Sequence, residues 1–261
     1  MRMLAQLDFG YLWPWTHGHL VIAAGALSIF LFARFRRWPR GARIAAGLLL
    51  AWSLLAFFVV NYVLGITREL SLPTAAFLPA GRGEVLDLGA GSGRSTLMVL
   101  KARPQVNVVA VDSFSAEYVQ HFGKAPPGQS VEEAGVALLR QNLRAAGVGE
   151  RATVKAGDMR ALPFSAASFD GVVSTYAIDH LSRADRDKAL FEAARVLKPG
   201  GDFLLMVLTK DFWLSFAYGP VFLHGGGPSQ AKWAEALARA GLQVVEQGKR
   251  PASFYFLARK P

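Results

Sequence analysis

"VLDLGAGSGR", Val85 to Arg94, sets three glycines at alternate positions directly after an apolar run that contains an acid. The run "EVLDLG" reads as a buried strand, and "GRSTLMVLKARP" as the helix after it, stopped by Pro104. A turn this bare serves a backbone that must bend where a Cβ is not tolerated, or come close to a ligand. A plain strand-to-helix turn accounts for one or two of the glycines. It does not account for three of them beside Asp87.

The pattern continues outward from that turn. "NVVAVD" is a second strand ending at Asp112, and "VEEAGVALLRQNLRAAG" an amphipathic helix ending on Gly147. "ATVKAGD" and "FDGVVSTY" are the third and fourth strands. "RADRDKALFEAARVLKPGG" is a helix with a Pro-Gly-Gly stop, and "DFLLMVL" the fifth strand. "SQAKWAEALARAG" is the last helix, and "LQVVEQGK" and "ASFYFLARK" pair as a hairpin. Alternation of this kind predicts an α/β fold with a seven-stranded, mostly parallel sheet covered by helices. One connection is long: "SFSAEYVQHFGKAPPGQS" follows Asp112 where a few residues would suffice, and its Tyr118 and His121 make it a candidate lid.

The N-terminal quarter has a different composition. Ile44 to Leu64 is free of charge over 21 residues, long enough as a helix to cross a hydrocarbon core of roughly 30 Å. His17 to Ala33 is a shorter apolar run, and it continues past the small residues at Ala24 to Ala26, which argues against a cleaved signal. Two membrane helices, or one with a re-entrant or interfacial partner, are expected. The organisation predicted is a membrane-anchoring segment over residues 1–64, a linker with Pro73 and Pro79 over 65–83, and a globular domain over 84–261.

The net charge of +10 supports that division. Residues 1–64 carry 6 Arg against one Asp, and Arg34, Arg36, Arg37, Arg40 and Arg43 fall between the two apolar runs. Basic charge placed there fits an anionic membrane surface better than a nucleic acid. The positive-inside rule would put that link in the cytoplasm and the domain outside for two crossings. With no cysteine, disulfides, thiolate metal sites and a cysteine nucleophile are excluded. No acidic pair has metal-ligand spacing, so neither Mg²⁺ nor Zn²⁺ is expected.

The glycines separate two kinds of nucleotide site. A dinucleotide fingerprint needs G-x-G-x-x-G, and both possible registers here lack the third glycine, at Arg94 or Thr96. Gly89-Ala90-Gly91-Ser92-Gly93 after Asp87 resembles instead the first motif of the class I S-adenosylmethionine (SAM) dependent methyltransferases. Asp112 about 20 residues further on, "GDMRALPF" from Gly157 to Phe164, "SFDGVV" and "RVLKPGG" complete the resemblance in order, over roughly residues 84–208. It is closest to the small-molecule branch that includes ubiquinone/menaquinone C-methyltransferases. The long insertion and "YAIDHL" are not usual segments of that branch.

The resemblance implies SAM as cofactor and roles for named residues. Asp87 would hold the methionyl ammonium, directly or through water, over Gly89, Gly91 and Gly93. Asp112, with Ser113 beside it, would accept the ribose hydroxyls. Asp158 and Met159 would flank the adenine, and Ser174 and Thr175 would lie below the methyl group. A base is needed only where the acceptor loses a proton. The candidates are Asp179 with His180, and His224 in the glycine-rich "FLHGGGP". Asp179 and His180 are adjacent and need not act together. The fourth-strand segment lacks the Asn/Asp-Pro-Pro-aromatic signature of base amino methylation, so no nucleic-acid substrate is expected. The expected activity is that of a membrane-anchored, cytoplasm-facing methyltransferase acting on a small or lipophilic acceptor. The alternatives are a nicotinamide-dependent oxidoreductase and a non-catalytic membrane scaffold.

Overall fold

The structure, a computed structural model, describes residues 7–115, 119, 123–219 and 227–261. The chain forms two compact units. The larger contains Met1–Gly10, Glu69–Lys210 and Gly225–Pro261, and the smaller contains Tyr11–Arg68 and Asp211–His224. The chain therefore passes between the units four times instead of running through one and then the other.

The larger unit is built on seven strands: β1 (Arg82–Leu88), β2 (Gln105–Asp112), β3 (Ala152–Ala156), β4 (Phe169–Thr175), β5 (Leu197–Leu208), β6 (Gln243–Arg250) and β7 (Ser253–Arg259). Their spatial order is β3-β2-β1-β4-β5-β7-β6. β1 to β5 pair in parallel, and β7 lies antiparallel between β5 and β6. The order reverses between β1 and β4, which are paired with Asp87 opposite Val173. Open parallel sheets bind ligands at such a reversal, outside the carboxyl ends of the strands. The expected fold class is the one found.

The helices of this unit start where their caps dictate. After Arg94–Ala102 comes Val131–Ala145, opened by a capping box in which Ser130 and Glu133 each bond the other's backbone N–H. Ser182 caps Arg183–Val196 and Ser229 caps Gln230–Arg239. Leu86, Leu88, Val172, Phe203, Leu205, Trp233 and Phe256 form the centre of the apolar core.

Two local expectations change. "KPGG" is not a loop between helix and strand: β5 already starts at Leu197, which pairs with Phe169, and pairing resumes at Asp202 opposite Gly171. A Cβ on Gly201 would lie 3.0 Å from the Asp170 carbonyl and 2.9 Å from that of Lys198, so the irregularity needs glycine. The expected linker is, from Glu69 on, part of the larger unit. Phe77 is wholly buried, Arg103 donates to the carbonyls of Ala75, Phe77 and Leu78, and the Leu78 N–H bonds the buried Asp202 carboxylate at 2.9 Å.

The smaller unit is helical. We number its helices with the rest in chain order: α1 (Trp13–Phe35), α2 (Arg40–Phe58), α3 (Arg94–Ala102), α4 (Val131–Ala145), α5 (Arg183–Val196), α6 (Phe212–Tyr218) and α7 (Gln230–Arg239). α1 and α2 form a hairpin, and α2 runs on as a π-turn over Val59–Val63. Both are long and apolar enough to cross a membrane, at 23 and 24 residues with mean hydropathy 1.7 and 2.2. Apart from His19, their buried residues are small: Thr16, Ala23, Ala26 and Ala33 on α1, Ala46, Ser53 and Ala56 on α2. Their large residues face outward, among them Ile29, Leu31, Phe32, Leu48, Leu54 and Leu55.

The seven-residue α6 is not foreseen in the sequence. It belongs to the helical unit although it follows β5 in the chain. Its last carbonyls, which have no partner within the helix, are bonded by side chains of the hairpin. Trp52 Nε1 donates to the Phe216 carbonyl at 3.1 Å, and His19 Nε2 lies 2.9 Å from that of Ala217. The Tyr218 hydroxyl donates to the Trp15 carbonyl.

Candidate cofactor site

The glycine turn leaves β1 and closes on the end of β2. Gly89, Gly91 and Gly93 all have positive φ, at +75°, +51° and +93°. At Gly89 the constraint is twofold, because a Cβ there would lie 2.2 Å from the Ala177 Cβ and 3.1 Å from Met159 Cε. The segment after β4 and the "GDM" segment after β3 thus meet over this one Cα. The turn also consumes its own amides. Gly89 and Ala90 donate to the Val111 carbonyl, Gly93 to that of Ala90, and Gly91 to the Asp112 carboxylate at 2.8 Å.

Asp87 is wholly buried. One carboxylate oxygen, Oδ2, accepts from the hydroxyls of Ser95 at 2.7 Å and Thr96 at 2.6 Å, in the first turn of α3. The other, Oδ1, is buried and has no partner. Burial pushes the carboxyl up from 3.8 to about 6, against the pull of those two hydroxyls. Between about 3.8 and 6 the folded chain holds a proton that the unfolded chain has lost. The protein therefore loses stability as pH rises through that window.

Asp112 stands at the end of β2. Its Oδ2 accepts from Gly91 and its Oδ1 from the Phe114 N–H at 2.9 Å. Burial raises its pKa, opposed by these backbone bonds. Ser113 is exposed beside it. Gly157 donates to the Asp112 carbonyl, so the ends of β2 and β3 are tied together. Met159 packs against the core next to Gly89. Asp158 is held by Arg160, whose guanidinium reaches both carboxylate oxygens at 2.7 to 2.9 Å and keeps the acid below its usual range.

The remaining candidates are spread out. Ser174 is buried and its hydroxyl donates to the Leu88 carbonyl at 2.8 Å, pinning β4 to the end of β1; Thr175 follows it, also buried. The Asp179 carboxylate turns inward, with Oδ2 accepting the Leu208 N–H at 2.9 Å and Oδ1 buried without a partner. Burial raises its pKa, and the charge of His180 opposes this. His180 itself is exposed, so the two neighbours point to different surroundings. His224, Tyr118 and His121 lie outside the described residues.

Sequence reasoning missed Ser95 and Thr96, although two adjacent hydroxyl residues in the first turn after the glycines are a readable sign. It also missed Ala177, which fills the space a Cβ on Gly89 would take, and Tyr176, held at φ +54° directly after β4. The site presents the carboxylates of Asp87 and Asp112 beside turn amides already engaged at Gly89, Ala90, Gly91 and Gly93, which suits a ligand bearing positive charge and hydroxyls better than one bearing phosphate.

Residues 86–205 match the methyltransferase domain family. The domain is a class I SAM-dependent methyltransferase domain. Similar proteins include the ubiquinone/menaquinone biosynthesis C-methyltransferase of Geotalea daltonii, 25% identical over 152 residues, which are 58% of this chain and 55% of that protein. The demethylmenaquinone methyltransferase of Thermus thermophilus is 34% identical over 122 residues, 47% of this chain and 46% of that one. The chain spans about half the length of these relatives. The solved structure of a SAM-dependent methyltransferase from Methanosarcina mazei has a TM-score of 0.54 at 18% identity, covers 73% of this chain and 99% of that one, and shows the same fold. SAM is the cofactor of this methyltransferase class. The residues present fit it: Asp87 offers a buried, unpartnered acceptor oxygen at the end of β1, with Asp112 at the end of the neighbouring β2.

Replacing Gly89 by Ala should cost about 2–5 kcal/mol, the left-handed backbone contributing ~1–2 and the overlap with Ala177 ~1–3. Adding Ala177→Gly should recover the overlap and leave the backbone cost. Denaturant unfolding of the four-member cycle checks this, and strictly additive variants would refute the contact.

Proposed function

We propose that the chain is a membrane-anchored methyltransferase that transfers the methyl group of SAM to a small, lipophilic acceptor. The observation that carries the cofactor half is the buried, unpartnered Oδ1 of Asp87 at the glycine turn. Bound SAM supplies a methyl group on a sulfonium, already an activated leaving group, so the protein's task is chiefly to position the acceptor. In this reading Asp87 binds the methionyl ammonium and Asp112 the ribose hydroxyls, with Ser113 at the rim. Gly89, Gly91 and Gly93 form the floor, Met159 lies along the adenine with Asp158 at its edge, and Ser174 and Thr175 stand beneath the reacting end. Where the acceptor must lose a proton, exposed His180 takes it, with His224 as the second candidate and Asp179 as a brace for the turn.

The acceptor class rests on two supports. The relatives named above act, by name, on quinones or their precursors. The α1–α2 hairpin has small residues inside and large apolar residues outside, the arrangement of helices packed in lipid and the reverse of a soluble core. Trp13, Trp15 and Tyr62 sit at one end of the hairpin, with exposed Trp213 on α6. Trp38 and the arginines sit at the other, as interfacial anchors do. A tether places the domain in the membrane that holds such an acceptor and raises the effective concentration of each for the other. Because SAM is a cytoplasmic metabolite, the domain is placed in the cytoplasm and the arginine-rich turn on the far face, against the charge rule.

Intact chain given SAM labelled in its methyl group should pass label to an organic-soluble product of a membrane lipid extract. Binding without any labelled product would favour the scaffold reading. Calorimetry adds a pH signature. An ammonium next to Asp87 favours its ionised form, so binding below pH 6 must expel the proton that burial holds there. Affinity should rise with pH up to about 6 and then level off, and Asp87→Asn should remove that dependence. The absence of cysteine makes topology testable without background labelling. Trp38→Cys should react with an impermeant maleimide in intact cells and Lys249→Cys only in inverted vesicles, and the opposite pattern would reverse the orientation.

A further inference from the structure

Asn142, in the last turn of α4, is wholly buried, and its amide is engaged on both sides. Nδ2 donates to the Ser92 carbonyl in the glycine turn at 2.9 Å and to the Asp8 carbonyl at 2.6 Å, while Oδ1 accepts the Asp8 N–H at 2.9 Å. The two bonds with Asp8 copy what one strand residue offers another, yet here a side chain makes them, 134 positions away in the sequence. Phe9 is 4% exposed, and the Arg94 guanidinium lies 5.4 Å from its ring centroid. Arg94 is the first residue of α3 and is itself buried. The Gly10 N–H bonds back to the Asp8 carboxylate at 2.8 Å, and Gly10 turns at φ +72°. Residues 7–10 are thus fastened to the cofactor turn and to the start of the helix that follows it.

We propose that residues 7–10 are a strap which, through Asn142, holds the Gly89–Gly93 turn in its cofactor-binding form. Asn142 is the positioning residue of this device. The proposal rests on the cofactor assignment above. An amide that bonds both the strap and Ser92 makes undocking of one felt by the other, because a buried carbonyl left without its donor is costly. Since α1 starts at Trp13, three residues beyond Gly10, the strap also makes cofactor affinity depend on the chain that leads into the first apolar helix.

Three variants of the chain, held in lipid nanodiscs, test this without touching the cofactor turn. Asp8→Pro deletes the N–H given to Asn142 and leaves the Asn142–Ser92 bond. Phe9→Ala empties the space beside Arg94, and Phe9→Leu should restore most of what it loses. In the first two, the dissociation constant for SAM should rise at least tenfold. Amide hydrogen exchange at Gly89–Gly93 should speed up at least tenfold in ligand-free protein, while β4 and β5 stay protected. Unchanged affinity together with unchanged exchange in the turn would overturn the strap. If the unaltered chain failed to bind SAM while the turn still loosened in the variants, the cofactor assignment would fall and the strap would stand.

Discussion

The hydrogen bond from the Gly91 amide to the Asp112 carboxylate joins the ends of the parallel strands β1 and β2, beside the point where the sheet reverses. It fixes where the glycine turn lies relative to β2, and through the Gly157 bond to the Asp112 carbonyl it brings the end of β3 to the same place. It also settles the polarity of the crevice. Amides that could have faced a phosphate are spent inside the turn, and what remains at the strand ends is a set of carboxylates. A sheet edge of this type ordinarily welcomes anions at a helix N-terminus. Here the helix N-terminus meets Asp87 instead, through Ser95 and Thr96.

What could be read in the sequence was what local composition encodes. Buried apolar runs such as "EVLDL" and "DFLLMVL" lie on the strands, and Ser130, Ser182 and Ser229 mark helix starts because their side chains accept an N–H three residues on. The glycine turn was legible because positive φ selects glycine residue by residue. Partnerships between distant segments were not. Nothing in "DRDKALFEAARV" or "KPGG" says that strand pairing begins at Leu197, since the partner is Phe169 and the signal is tertiary. Nothing near Asn142 says that it binds residue 8. The pairing of Asp179 with His180 looked suggestive because they are neighbours, yet one turns inward to cap the end of β5 and the other stays exposed.

The helical unit shows the same division between what is local and what is not. Length and apolarity of α1 and α2 are visible at once. Their inverted packing emerges only when the inward positions, His19 apart, are seen to be alanine, serine and threonine. In water such a hairpin would bury little and expose much, which the hydrophobic effect opposes. In lipid, small residues allow close backbone approach and large ones meet acyl chains without cost. The polar groups that remain inside, Trp52 and His19, are used to bond the last carbonyls of α6, so the hairpin's interior polarity has a structural purpose.

A buried acid with an unused oxygen is an expensive feature, and Asp87 is one. At neutral pH a carboxyl with a pKa of about 6 is mostly ionised, so the fold carries a negative charge shielded from water and only half satisfied by hydroxyls. Replacing that charge by an apolar group would relieve the cost, and the fold has instead arranged two hydroxyls to keep the acid in place. In the proposed function, the stability given up is recovered when a cation reaches the unpartnered oxygen. Such a site discriminates by charge before shape. A ligand bearing an ammonium or a sulfonium gains there, while one bearing phosphates meets carboxylates and amides that are already taken.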